Sequence, residues 1–200
     1  MSRHYLLVVV VFAFVLGLGF RIYLEMSKDA SSLLSLLLFG KDENGTDIFD
    51  LQDTRIRIVY FGFTRCPDIC PTSLSVLATA LNEIDEVDRA KLRPLFVSLD
   101  PEHDKANFAH QYAQYFHTMI EGFSAPLEVI TELASRYGVI FYKTKLEGSQ
   151  MKYTIDHSSN FYFLEPNGAL IAKVAHTFSP DPLIETINMI TNTKIKRILE

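Results

Sequence analysis

The chain has 200 residues, 48% of them apolar, with a formal net charge of −5 and a pI near 5.7. That size and composition suit one globular domain with something left over. There is no basic field to hold a phosphate backbone, which excludes the nucleic-acid-binding classes.

From Tyr5 to Phe20 no residue is charged or strongly polar. With Arg21 snorkelling to the interface, the run extends to Leu24 and is long enough to span a bilayer. No A-x-A cleavage site follows and no cysteine is there to carry a lipid, so residues 1–24 are expected to form an uncleaved, single-pass signal anchor. Arg3 on one side is matched by Arg21 and Lys28 on the other, and the positive-inside count leaves the orientation open. Residues 25–32 read as a tether. Leu33 to Phe39, the turn Asp42-Glu43-Asn44-Gly45 and Thr46 to Leu51 then read as an opening β-hairpin.

Ile56 to Phe61 is a β-branched and aromatic run broken only by Arg57, the pattern of a central strand buried on both faces. Leu74, Leu77, Ala78, Leu81 and Ile84 recur at helical spacing, so a helix is expected from Pro71 to about Ile84. Leu95 to Leu99 reads as a second buried strand, ended by Asp100-Pro101-Glu102-His103-Asp104. A helix marked by Ala106, Ala109, Ala113 and Phe116 follows, then one from Leu127 to Tyr137 stopped by Gly138. Val139 to Tyr142 reads as a strand, 143–156 as a polar excursion or loose hairpin, and His157 closes it. Phe161 to Leu164 and Ala169 to Ala175 flank Pro166-Asn167-Gly168, a hairpin signal, and a helix runs from Pro182 to about Asn192. The alternation is that of an α/β domain over 33–193, with 194–200 as a tail.

Cys66 and Cys70 are the only cysteines. Bridging them would close a loop of about five residues and stabilise the fold by only about 2 kcal/mol, so a functional dithiol or metal site is the better reading. With a helix opening at Pro71, Cys70 falls at the N-cap and Cys66 one turn earlier, where the helix dipole favours the thiolate and lowers the thiol pKa. Arg65 adds to that effect and Asp68 opposes it. Thiolates are ligands for Cu(I) and zinc and also the nucleophiles of disulfide exchange; the spacing alone leaves both chemistries open, with three intervening residues leaning towards a metal. A third ligand would be an imidazole. His4, His103, His110, His117 and His176 lie beside the anchor, in loops or on a solvated helix face. His157 precedes the Phe161 to Leu164 strand, which in a thioredoxin-like arrangement neighbours Ile56 to Phe61, and Asp156 is placed to orient it.

Gly62-Phe63-Thr64-Arg65-Cys66-Pro67-Asp68-Ile69-Cys70-Pro71-Thr72, Leu99-Asp100-Pro101-Glu102-His103-Asp104 and Asp156-His157-Ser158 resemble, in order and spacing, the three signatures of the Sco/SenC family of membrane-anchored, thioredoxin-fold copper proteins. The resemblance covers roughly residues 33–192. It implies copper ligation by Cys66, Cys70 and His157, as Cu(I) and, with a further weak ligand, Cu(II), with Asp68, Asp100 and Asp156 as candidate supporting residues. It further implies a role in assembling the binuclear copper centre of cytochrome c oxidase. The implied partners are the oxidase's copper-bearing subunit, a copper donor or thiol reductant, and the membrane through the N-terminal helix. Many members carry histidine where this chain has Arg65, and arginine where it has His103; neither is a ligand position. Asp100 is expected to end a strand and Asp104 to cap a helix.

The rival reading is a thiol-disulfide oxidoreductase working through Cys66 and Cys70 on the oxidase or another partner. General thioredoxin-like reductases carry a Trp before C-x-x-C and a cis-Pro facing it; this chain has no Trp and places Asp156-His157-Ser158-Ser159 there. A peroxidase signature is missing around the pair. No Arg-rich, acid-poor transit peptide precedes the anchor, so the expected location is a bacterial inner membrane with the domain in the periplasm.

Overall fold

The computed structural model describes residues 12–14, 16–21, 42–43 and 45–199, with side chains to residue 192. The chain divides into two units, residues 1–38 and 39–200. In the first, the described residues are helical and exposed. The remainder of the anchor expected over 1–24, and the tether over 25–32, lie outside the described residues. Among the described residues, no helix is long and apolar enough to cross a membrane.

The second unit runs β1 (Ile56–Gly62), α1 (Ile69–Glu83), α2 (Glu86–Arg89), β2 (Leu92–Ser98), α3 (Ala106–Phe116) and β3 (Glu121–Phe123). It continues through α4 (Leu127–Arg136), β4 (Phe141–Lys145), β5 (Tyr153–His157), β6 (Asn160–Leu164), β7 (Leu170–Ala175) and α5 (Asp181–Leu199). Five strands form a mixed sheet in the order β3-β2-β1-β6-β7; β4 and β5 form a separate antiparallel pair. β1 lies at the centre with every residue buried. It pairs in parallel with β2, which requires the α1 crossover between them, and antiparallel with β6 through Tyr60↔Phe161. Around it the core is aromatic: Phe61 meets Tyr162 edge-on at 5.6 Å, and Tyr60 lies 5.1 Å from Phe161.

β2 begins at Leu92, three residues before the expected start, because a polar residue there is satisfied rather than solvated. Arg93 donates to both carboxylate oxygens of Glu121, at 2.8 and 2.7 Å, and to the Asp47 carbonyl. The opening hairpin is only partly present. Its turn is made: Gly45 holds φ 82° and Gly45 N–H donates to the Asp42 carbonyl. Its first arm lies outside the described residues, and the second, Thr46 to Leu51, is a succession of turns apart from one bridge at Asp47.

Two features divert that arm. Asp47, Asp50 and Asp53 each accept from the backbone N–H two residues on, closing side-chain turns that compete with a strand. Arg57, fully buried on β1, donates to the carbonyls of Ile48, Asp50, Asp53 and Arg55, consuming the acceptors a strand ladder would use. The break in the apolar pattern at Arg57 is thus the post around which residues 48–55 wind. At the other end, α5 continues to Leu199, so residues 194–199 extend the helix instead of forming a separate tail. Nothing in Thr193 to Leu199 breaks a helix, since neither Gly nor Pro occurs there.

Arg57→Met leaves those buried carbonyls without donors and is expected to lower unfolding free energy by about 3 kcal/mol. Arg57→Lys, with a single point of charge in place of a planar fork, should recover only part of it. Urea titrations of both variants check this; a Met variant as stable as the parent would show that the 48–55 loop is held by something else.

Candidate metal centre

The site begins where β1 ends. Gly62 is there because a side chain would not fit: a Cβ on it would lie 2.9 Å from Cys70 Sγ and 3.1 Å from the Phe96 and Tyr60 rings. The loop that follows is fixed by a buried carboxylate. Asp104 is fully buried and accepts from Thr64 N–H at 2.9 Å, from the Thr64 hydroxyl, and from the Ser98 hydroxyl at 2.6 Å. A carboxylate with no water to solvate it needs such donors. The expected helix cap is therefore corrected: α3 takes Lys105 as its N-cap with no side-chain cap bond, and Asp104 turns inward.

α1 starts at Ile69, two residues before the sequence places it, with Asp68 at the N-cap. Pro71 becomes the third helical residue, where its missing N–H is one of the first-turn amides that need no partner within the helix. Cys70 lies inside the helix rather than at its cap, and its N–H points to Cys66 Sγ at 3.4 Å. Asp68 is exposed and its side chain caps nothing. Its carbonyl accepts from Thr72 N–H and the Thr72 hydroxyl.

His157 arrives at the end of β5, 87 residues after Cys70, and brings Nε2 to 3.4 Å from Cys70 Sγ. Its Nδ1 lies 3.2 Å from the Ser158 carbonyl. A carbonyl only accepts, so Nδ1 carries the proton and Nε2 presents its lone pair to the sulfur. The rings of Tyr60 and Phe63 stand edge-on to the imidazole at 6.3 and 6.2 Å. Asp156 does not orient this ring. It occupies the alternate face of β5, is exposed, and accepts from the Thr144 hydroxyl.

The two thiols are free, and they share their protons unevenly. The hydrogen bond from Cys70 is the largest influence on Cys66; against some desolvation, it and further bonds from the Asp68 and Cys70 amides bring the thiol down to about 4. Cys70 moves the other way, held protonated by its bond to Cys66, by burial and by the adjacent Cys66 charge. Tyr60, with its hydroxyl buried near Cys70, Ser73 and Ser159 but without a hydrogen bond of ordinary geometry, is also pushed up, chiefly by burial.

The other histidines divide. His110 and His117 are half-buried and accept the Gly122 and Met119 amides, so they serve the fold rather than facing solvent. His176 comes nearer than its loop position suggested, with Nδ1 2.8 Å from the Ser73 hydroxyl, one turn beyond Cys70. His4 lies outside the described residues. His103 belongs to a second group of donor atoms with Asp100 and Glu102, mutually within 4.8 Å. Those carboxylates already have cationic partners: Asp100 receives Arg65 at 2.9 Å, and Glu102 receives Lys143 at 2.7 Å. The two departures in the signatures thus meet, since Arg65 Nη2 lies 3.1 Å from His103 Nδ1 and both contact Asp100. Burial would raise the Asp100 carboxyl, but hydrogen bonds from Tyr153 and Arg65 hold it below its ordinary value.

The SCO1/SenC family model matches residues 41–192. The chain belongs to the SCO1/SenC family. Among curated SCO proteins it is 32% identical to SCO2 of Saccharomyces cerevisiae over 169 residues, 82% of this chain and 56% of that one. It is 30% identical to an SCO2-like protein of Rickettsia felis over 146 residues, 72% and 70% of the two chains. The chain thus spans little more than half the length of the yeast relative. Copper-bound ScoI of Arabidopsis thaliana superposes with a TM-score of 0.63 at 34% identity, covering 70% of this chain and 86% of that one. The body therefore has the mixed α/β, thioredoxin-like Sco fold.

Because Cys66 is half-buried and anionic while Cys70 is enclosed and protonated, iodoacetamide should label Cys66 first. Labelling should persist well below the usual thiol range and fade as pH falls towards about 4. Peptide mapping across a pH series checks it, and preferential labelling of Cys70 would reverse the assignment.

Proposed function

We propose that this Sco-family protein is a membrane-anchored copper carrier that contributes to assembly of the binuclear copper centre of cytochrome c oxidase, with Cys66, Cys70 and His157 as ligands. Copper is its cargo. The observation that carries the reading is the approach of His157 Nε2 to Cys70 Sγ across 87 residues, with Nδ1 tied back to a backbone carbonyl. Two sulfurs and one imidazole nitrogen are a donor set suited to Cu(I), and a further weak donor would extend it to Cu(II). The resemblance of the three signatures and the copper bound in the Arabidopsis relative support the same metal. In this reading Cys66 supplies the ready thiolate, Cys70 releases its proton as the cation binds, and His157 selects for the harder oxidation state. The anchor over residues 1–24 would hold the domain at a bacterial inner membrane, facing the periplasm and the oxidase's copper-bearing subunit.

A second reading is favoured by a separate observation. An exposed-side thiolate paired with a buried thiol is also the asymmetry of an exchanging dithiol, so reduction of the oxidase subunit's cysteines is the alternative. The two readings separate in one experiment on the full-length protein in detergent. As a carrier it binds one Cu(I), and Cys66→Ser or Cys70→Ser abolishes that binding. His157→Ala weakens Cu(II) at least about tenfold and leaves disulfide exchange intact. Unchanged copper stoichiometry in both serine variants, with exchange lost, would replace the carrier by the reductase.

A further inference from the structure

β5 carries His157, yet its pair, β4 and β5, is not hydrogen-bonded into the main sheet. Pairing of β6 with β1 brings the end of β5 to the cysteines, and the course of β5 itself is left to side-chain contacts. Strand alternation places Tyr153, Ile155 and His157 on one face of β5, and Ile155 is buried there. Tyr153 is the outer member of that row, about 13 Å along the strand from His157. Its hydroxyl donates to Asp100 Oδ1 at 2.7 Å and lies 2.8 Å from His103 Nδ1. The opposite oxygen of Asp100 receives Arg65 Nη2 at 2.9 Å, and the Arg65 guanidinium also lies over the Tyr153 ring, 5.0 Å from its centre. Arg65 is the residue before Cys66. A closed circuit of contacts therefore runs from Cys66 through Arg65, Asp100 and Tyr153 along β5 to His157, and back to Cys70.

We propose that Tyr153 is a positioning residue for the copper site: its hydrogen bond to the buried Asp100 sets the placement of His157 against the cysteines. This rests on the copper reading of Cys66, Cys70 and His157. Tyr153 itself touches no ligand atom, and the consequence is selective. Soft Cu(I) is held chiefly by the two thiolates, whereas Cu(II) depends more on the imidazole, so loosening the circuit acts chiefly on Cu(II). A second tether of the same hairpin, Lys143 to Glu102 at 2.7 Å, joins exposed side chains; Lys143 Nζ also lies over the Tyr153 ring, 4.5 Å from its centre, but takes no part in the hydroxyl bond to Asp100.

The test compares the full-length parent protein with Tyr153→Phe, Lys143→Gln and His157→Ala, each titrated with Cu(I) and Cu(II) and examined by electron paramagnetic resonance of the Cu(II) form. Tyr153→Phe is expected to lower Cu(II) affinity about tenfold and to weaken the imidazole nitrogen coupling, while Cu(I) stoichiometry stays at one. Lys143→Gln is expected to match the parent. Parent-like Cu(II) affinity and nitrogen coupling in Tyr153→Phe, with both altered in His157→Ala, would overturn the positioning role and leave the copper site standing. An equal loss in Lys143→Gln would overturn the assignment to Tyr153 in favour of general loosening of the hairpin. If His157→Ala itself retained the parent's affinity and coupling, the ligand reading would fall, and this inference with it.

Discussion

The site depends on one segment, residues 98–104, and on the need of its two buried carboxylates for donors. Asp104 and Asp100 are both fully enclosed. Leaving either without partners would cost several kcal/mol, roughly, because nothing replaces lost hydration. Asp104 takes its donors from Thr64 and Ser98, and Asp100 from Arg65 and Tyr153. Each carboxylate thereby captures a different part of the centre. The loop before Cys66 is gripped from one side and the strand bearing His157 from the other, although neither aspartate touches a sulfur.

The same economy explains the division of labour between the thiols. Cys66 accepts from the Cys70 thiol and from a first-turn amide of α1 and becomes the anion, while Cys70, pressed against Gly62 and shut from water, keeps the proton. Neighbouring sulfurs do not both ionise readily in such a place. The geometry thus holds a single negative charge on the pair until a cation or an oxidant arrives, and that one arrangement suits either of the two proposed chemistries.

Much of this was legible in the sequence, and the reasons are local. β1 announced itself by β-branched and aromatic content, and His157 by its place before β6, because pairing of β6 with β1 brings that junction to the cysteines. What sequence could not supply was direction. Whether Asp104 points outward to cap α3 or inward to Thr64 is decided by residues 40 positions away. Asp156 was misplaced for a simpler reason: one step along a strand reverses the face. Arg57 looked like a flaw in a buried strand and Arg93 like a residue before one, since single-sequence patterns count polarity but not the carbonyls and carboxylates that satisfy it. The substitutions at Arg65 and His103 seemed unrelated in sequence, and only the fold shows them facing one another across Asp100.

The separation of 87 residues between Cys70 and His157 also bears on the order in which the protein comes into being. A chain emerging only as far as α4 has both sulfurs and no imidazole beside them. Closing so long a loop carries an entropic cost that the hairpin of β4 and β5 cannot meet alone, and it is the sheet, through β6 on β1, that brings the ends together. The three-donor arrangement is thus a late product of folding. An incompletely folded chain presents an ordinary dithiol, and the imidazole joins it only when the last third of the domain has docked.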